Sequence, residues 1–198
     1  MDTFDGTDPA LPFVRSVKRS DDERGSHRKF FMNGDEAFSN EHFDVKEVFL
    51  TSNSRNVVRG MHYQGGEKPQ RKLVTCLQGS ALVKVVNMQT GSVYTYFLKS
   101  EKDAANQVYV PVDHALGYRI LQDDTIMAYV ADEDFSPEHD AGFSPLFTNW
   151  GMIYFDAQVD GERLILSPKD RDAEHYTKYI PELVNVTDCG SIGDVVDD

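Results

Sequence analysis

Cysteine is nearly absent from this chain. Cys76 and Cys189 are the only two in 198 residues, which excludes a disulfide framework. Cys76 lies in an apolar stretch and Cys189 in a polar one, so a reduced, cytoplasmic protein is expected. No apolar run approaches the roughly 20 residues that a membrane-spanning helix needs. The opening Met1-Asp2-Thr3-Phe4-Asp5 is acidic and lacks the basic-then-apolar pattern of a signal peptide. Cations are in deficit, with 20 Lys and Arg against 33 Asp and Glu and a net charge of −13. A field of that sign repels nucleic acid. It still permits local cations such as Arg59, Lys72 and Lys169 to hold a diphosphate. The histidines are His27, His42, His62, His114, His139 and His175, and no two are spaced as a ligand pair. No catalytic metal is therefore expected. Also missing are a Gly-x-Ser-x-Gly elbow, a phosphate-binding Gly-Lys loop, a Gly-x-Gly-x-x-Gly fingerprint and any repeat of solenoid length.

What is present is the composition of an ordinary globular domain, 40% hydrophobic and 27% charged. The length fits one domain. We expect it over residues 1–183, followed by an acidic, mobile tail at 184–198. Between Val57 and Tyr129, short β-forming runs recur, separated by Gln64-Gly65-Gly66, Gln78-Gly79, Gln89-Thr90-Gly91, Lys102-Asp103, Val112-Asp113 and Gln122-Asp123-Asp124. Evenly spaced short strands with turn signals predict an all-β antiparallel sandwich or barrel of jelly-roll type. Peripheral strands are expected at Phe13–Val17 and Lys46–Thr51, with another beginning at Phe30-Phe31-Met32. Ser20–Ser26 reads as a turn and Asp132–Asp140 as a polar loop. The aromatic stretch 143–155 is expected to pack on the barrel, and Asp172–Tyr179 to form a short helix.

Chemistry concentrates in Val58-Arg59-Gly60-Met61-His62-Tyr63-Gln64 and, just downstream, Gln70-Arg71-Lys72. His62 has the ordinary acid–base range of a general base, and Lys72 is a cation suited to a developing oxyanion. Strict strand alternation puts Arg59 on the face opposite His62, so a bulge or a twist is required to bring them together. Asp170 is a candidate to orient His62, and such a His–carboxylate pair suits removal of a carbon-bound proton beside a carbonyl. Cys76 reads as buried and inert.

Taken in order, Asp22-Glu23-Arg24-Gly25, Val58-Arg59-Gly60-Met61-His62-Tyr63-Gln64, Lys72-Leu73-Val74, Gln78-Gly79, Val110-Pro111, Phe135-Ser136-Pro137 and Leu166-Ser167-Pro168-Lys169-Asp170 resemble the dTDP-4-dehydrorhamnose 3,5-epimerase family over residues 13 to 175. The resemblance implies a cupin-type jelly roll without metal or other cofactor, working as a homodimer in rhamnose and other deoxysugar biosynthesis. It implies a nucleoside-diphosphate 4-keto-6-deoxy sugar, dTDP-linked, as substrate, epimerised at C3 and/or C5. On that pattern His62 is the base, Asp170 its partner and Lys72 the stabiliser of the enolate. Arg24 and Arg59 reach the nucleotide or its phosphates, while Gln64 and Lys169 lie beside the site. Three positions depart from the pattern, one of them Asp140, which stands where the family has a Glu. Phe135 stands where the family has its proton-donating Tyr, and Leu116 where it has a His, with His114 two residues earlier on the same strand face. Alternatives kept open are a 3,4-ketoisomerase on the same scaffold and a silent nucleotide-sugar-binding homologue.

Overall fold

Polar punctuation cuts the chain into strands. Asn56, Asp103, Asp113 and Asp124 all adopt left-handed backbone, with φ between 55° and 66°, a conformation that Asn and Asp tolerate because their short side chains bond locally. The computed structural model describes residues 10–32, 43–145 and 163–174. Within them lie β1 (Phe13–Arg15), β2 (Arg19–Asp22), β3 (Gly25–Arg28), β4 (Glu47–Asn53), β5 (Val58–Gln64) and β6 (Lys72–Gln78). There follow β7 (Ser80–Asn87), β8 (Val93–Lys99), β9 (Gln107–Val110), β10 (His114–Ile120), β11 (Thr125–Ala131), β12 (Asp140–Gly142) and the single-turn helix α1 (Pro168–Arg171).

The strands form two five-stranded antiparallel sheets, ordered β1-β9-β6-β11-β4 and β12-β5-β10-β7-β8, with β2-β3 as a separate hairpin. Neighbours within each sheet are mostly non-consecutive, as in a jelly roll, and the architecture matches the cupin-type fold expected. The chain changes sheets between β5 and β6, so these two strands belong to different layers rather than pairing. Inward-pointing residues fill that interior: Val74 and Cys76 from β6, Val83 and Val85 from β7, Leu116, Tyr118 and Ile120 from β10, and Met127 and Tyr129 from β11. Burial pushes the Cys76 thiol up to about 12, which keeps it protonated and inert. Leu73, Tyr109 and Val130 face outward and are covered by Phe43, Phe13, Phe30 and Phe31.

Three local expectations change. Residues 30–32 form no strand; their phenylalanines act as apolar cover for the outer face of a sheet. Ser20–Ser26 is not only a turn but most of the β2-β3 hairpin. The helix lies at 168–171, with Ser167 as its N-cap and Pro168 in the first turn, a start signal that favours Ser then Pro. Residues 172–174 are not helical. The rest of the expected helix, the aromatic stretch beyond residue 145, Cys189 and the acidic tail lie outside the described residues.

Candidate active site

Gly60 sets the geometry of β5. Leu116 pairs with His62 and Tyr118 with Arg59, so two steps along β10 oppose three along β5. The extra residue is a β-bulge, and it reverses the alternation between Arg59 and His62. Gly60 takes φ 107°, and a Cβ there would sit 2.4 Å from the Leu116 carbonyl oxygen. Arg59 and His62 consequently line the same cavity, of about 380 Å³, between the two sheets. The volume falls in the ordinary range of small-ligand pockets, roughly 300–1,000 Å³.

His62 meets Asp170 inside that cavity. The imidazole Nε2 and the carboxylate Oδ1 are 2.8 Å apart, although the residues are 108 positions apart in sequence. Their approach has a local cause. Residues 163–167 run beside the start of β5, where Val58 N–H donates to Ile165 O and Ile165 N–H donates to Asn56 O. Leu164 buries itself against Val58, and burying such a side chain is worth roughly 1.5–3 kcal/mol. The chain then turns into α1, whose Asp170 N–H donates to the Ser167 hydroxyl. Asp170 is 6% exposed. The other ring nitrogen, Nδ1, is buried and has no hydrogen-bond partner among the described residues. Gly142 gives the ring its room: a Cβ there would lie 2.9 Å from Nδ1 and 2.3 Å from the Met61 carbonyl oxygen.

The other wall comes from the second sheet. Lys72 opens β6 and projects into the cavity. Burial lowers its pKa, while Asp140 and Glu47 act in the opposite direction. Thr51, Phe49 and Tyr129 complete this wall, and Phe135 stands half-exposed beside it. The Phe135 N–H donates to Glu47 Oε1. Lys169 reaches Asp140 at 2.6 Å on the rim. Arg59 donates through Nε to Asn53 Oδ1 at 2.8 Å.

The cavity thus gathers His62, Asp170, Lys72, Arg59, Gln64, Phe135 and Lys169, but two expected residues lie elsewhere. Arg24 sits in the β2-β3 turn, 85% exposed and paired with Asp22, away from the cavity of its own chain. His114 is buried at the far end of β10, with Nδ1 2.8 Å from the Val112 carbonyl and its ring near Tyr94. The cavity-lining position on that strand face is taken by Leu116 instead. Gln64 lines the cavity, yet its amide is committed to protein. It accepts from Ser136 N–H and donates to the Lys68 and Asp134 carbonyls, which pins the 132–139 loop. Overlooked in the sequence were Glu47, Thr51 and Tyr118. Tyr118 was legible in principle, because it follows Leu116 by two on one strand and so shares its face.

Comparison with known proteins agrees with this architecture. The sequence profile of the dTDP-4-dehydrorhamnose 3,5-epimerase family matches residues 12–178. A dTDP-4-dehydrorhamnose 3,5-epimerase from Escherichia coli K12 is 36% identical over 122 residues, covering 59% of this chain and 63% of the relative. The enzyme of the same name from Streptomyces griseus is 30% identical over 131 residues, covering 65% and 64%. The matched segments therefore span somewhat less than two thirds of these relatives. A solved 3'-monoepimerase from Streptomyces bikiniensis, in complex with dTDP-quinovose, shares the fold. Its TM-score is 0.74 at 23% identity, over 86% of this chain and 87% of that one.

Proposed function

This chain belongs to the dTDP-4-dehydrorhamnose 3,5-epimerase family, and from that premise we propose that it epimerises a nucleoside-diphosphate-linked 4-keto-6-deoxy sugar at C3 and/or C5. The observation that carries the proposal is the 2.8 Å contact of His62 with a buried Asp170 in a sugar-sized cavity that also holds Lys72. His62 removes the proton from the carbon beside the C4 ketone. Asp170 holds the imidazole in one tautomer and stabilises the cation that forms. Lys72 faces the ketone oxygen as it becomes an enolate, in a site where burial strengthens the attraction. Arg59 and Lys169 at the rim carry the charge suited to a diphosphate.

Relatives of this fold bind dTDP-linked sugars, which supports dTDP as the nucleotide here. Arg24, exposed on its hairpin and remote from its own cavity, fits a homodimer in which such an arginine reaches a neighbouring chain's nucleotide. Among the described residues no helix is long and apolar enough to cross a membrane, and we take the enzyme to work in the cytoplasm. One observation favours the silent-homologue reading, the phenyl ring of Phe135 at a position lining the cavity.

Incubation with a dTDP-4-keto-6-deoxyhexose in deuterated water separates the two. The epimerase reading requires deuterium at C3 or C5. Tight dTDP binding without any exchange would establish the silent homologue instead, and movement of the keto group to C3 would establish the ketoisomerase.

A further inference from the structure

Inverting a carbon through an enolate takes two groups. A base removes the proton from one side, and an acid returns one from the other. Phe135 has no proton to give. Of the other proton-bearing groups lining the cavity, Lys169 is engaged by Asp140, Lys72 serves the enolate oxygen, and the guanidinium of Arg59 and the aliphatic hydroxyls of Thr51 and Ser167 are by chemical class weaker acids than a phenol. Two phenols remain. Tyr118 leaves β10 on the His62 side, but its ring crosses the interior, and its hydroxyl lies against the second sheet. There it accepts a 2.6 Å hydrogen bond from the Tyr129 hydroxyl and lies 3.2 Å from Thr51 Oγ1. Because Tyr129 donates to it, the proton of Tyr118 is left to point at Thr51 or at a bound ligand.

We propose that Tyr118 is the acid that reprotonates the sugar across from His62, with Tyr129 as a positioning residue behind it. The inference rests on the epimerase reading above. In the step, the C–H electron pair left by proton transfer to His62 becomes the enolate double bond. That pair then forms a new C–H bond with the Tyr118 proton, and a phenolate remains. The hydrogen bond from Tyr129 and the nearby charge of Arg59 stabilise this phenolate. The cycle closes when His62 releases its proton to solvent and the tyrosine pair takes one up. Burial raises the pKa of both phenols, so the acid keeps its proton until an enolate is there to take it. Leu116 lies between His62 and Tyr118 on the cavity wall and offers no competing proton.

The test separates proton removal from proton return. With a dTDP-4-keto-6-deoxyhexose in deuterated water, deuterium entry and epimer formation are followed together in the wild type, Tyr118→Phe and Tyr129→Phe. In Tyr118→Phe, epimer formation is expected to fall about 10²- to 10³-fold while deuterium still enters with retention, since His62, once its proton has exchanged with solvent, delivers a deuteron back to the face it came from. Tyr129→Phe is expected to lose about tenfold in epimer formation and to shift its pH profile. Affinity for dTDP should be unchanged in both, which checks folding. Should Tyr118→Phe not fold, fluorinated tyrosine incorporated at position 118 keeps ring and hydroxyl. It should move the basic limb of epimer formation to lower pH without moving that of exchange. An unaltered epimer rate in Tyr118→Phe, equal loss of exchange and epimer formation, or an unmoved basic limb overturns the inference. Absence of exchange in the wild type overturns the epimerase reading itself, and this inference with it.

Discussion

His62 and His114 sit on neighbouring strands of one sheet and are held quite differently. His62 faces the cavity and meets a carboxylate, Asp170, at 2.8 Å. His114 is buried away from the cavity and meets a backbone carbonyl, that of Val112, at the same distance. A carboxylate favours the imidazolium that a general base must become. In His114, burial lowers the pKa, against smaller opposing effects of the Val112 carbonyl and Asp113. The lesson is that hydrogen-bond length does not distinguish a base from a structural histidine. The charge of the partner and access to the cavity do.

The comparison is broken most severely by removing the cavity imidazole. His62→Ala is expected to lower deuterium exchange by at least about 10³-fold, with dTDP affinity retained. Asp170→Asn leaves the shape but removes the charge, and should cost about 10²- to 10⁴-fold in the same assay. Gly142→Ala keeps both partners yet places a methyl group 2.9 Å from His62 Nδ1 and 2.3 Å from the Met61 carbonyl oxygen. Exchange should fall on the order of 10²-fold, because a displacement of about 1 Å suffices for that, and the melting temperature should drop as well. The smallest effect belongs to His114→Phe, for which exchange should stay within about twofold of the wild type, as for a substitution outside the reacting groups.

His114→Phe also sharpens the comparison through pH. In the unfolded chain this imidazole titrates near ~6.5, and in the folded protein at a lower value. As pH falls through that window the unfolded chain binds more protons, so the stability that is full above the unfolded-state value declines. Thermal melts at about pH 7.5 and about pH 5.5 should therefore show a smaller acid loss in His114→Phe than in the wild type.

How much was legible in sequence follows the range of the interactions. The β-rich run from Val57 to Tyr129 could be read because Gly, Asn and Asp interrupt it wherever a turn needs left-handed backbone. The demand for a bulge or twist between Arg59 and His62 could be read from alternation alone, and the structure supplies a bulge at Gly60 and Met61. The motif residues themselves pointed to a His–Asp pair, but its cause, Leu164 docking on Val58, is a tertiary contact that no local pattern records. Phe30 and Phe31 resembled a strand because apolar cover for a sheet and an apolar strand have the same composition. The hold of Gln64 on its loop was not legible, because the carbonyls and N–H it satisfies lie up to 72 positions away. The setting of Tyr118 was not legible, because its hydroxyl meets Tyr129 and Thr51 across the interior, a contact between sheets that no local pattern records.

The central claim is that His62, held by Asp170, takes a proton from the carbon next to a sugar ketone. Its most direct test is the rate of deuterium entry at C3 and C5 of a dTDP-4-keto-6-deoxyhexose, measured side by side for the wild type and His62→Ala at saturating sugar nucleotide. Entry in the wild type and only the uncatalysed rate in His62→Ala is the predicted result. Equal entry in the two proteins would contradict the account.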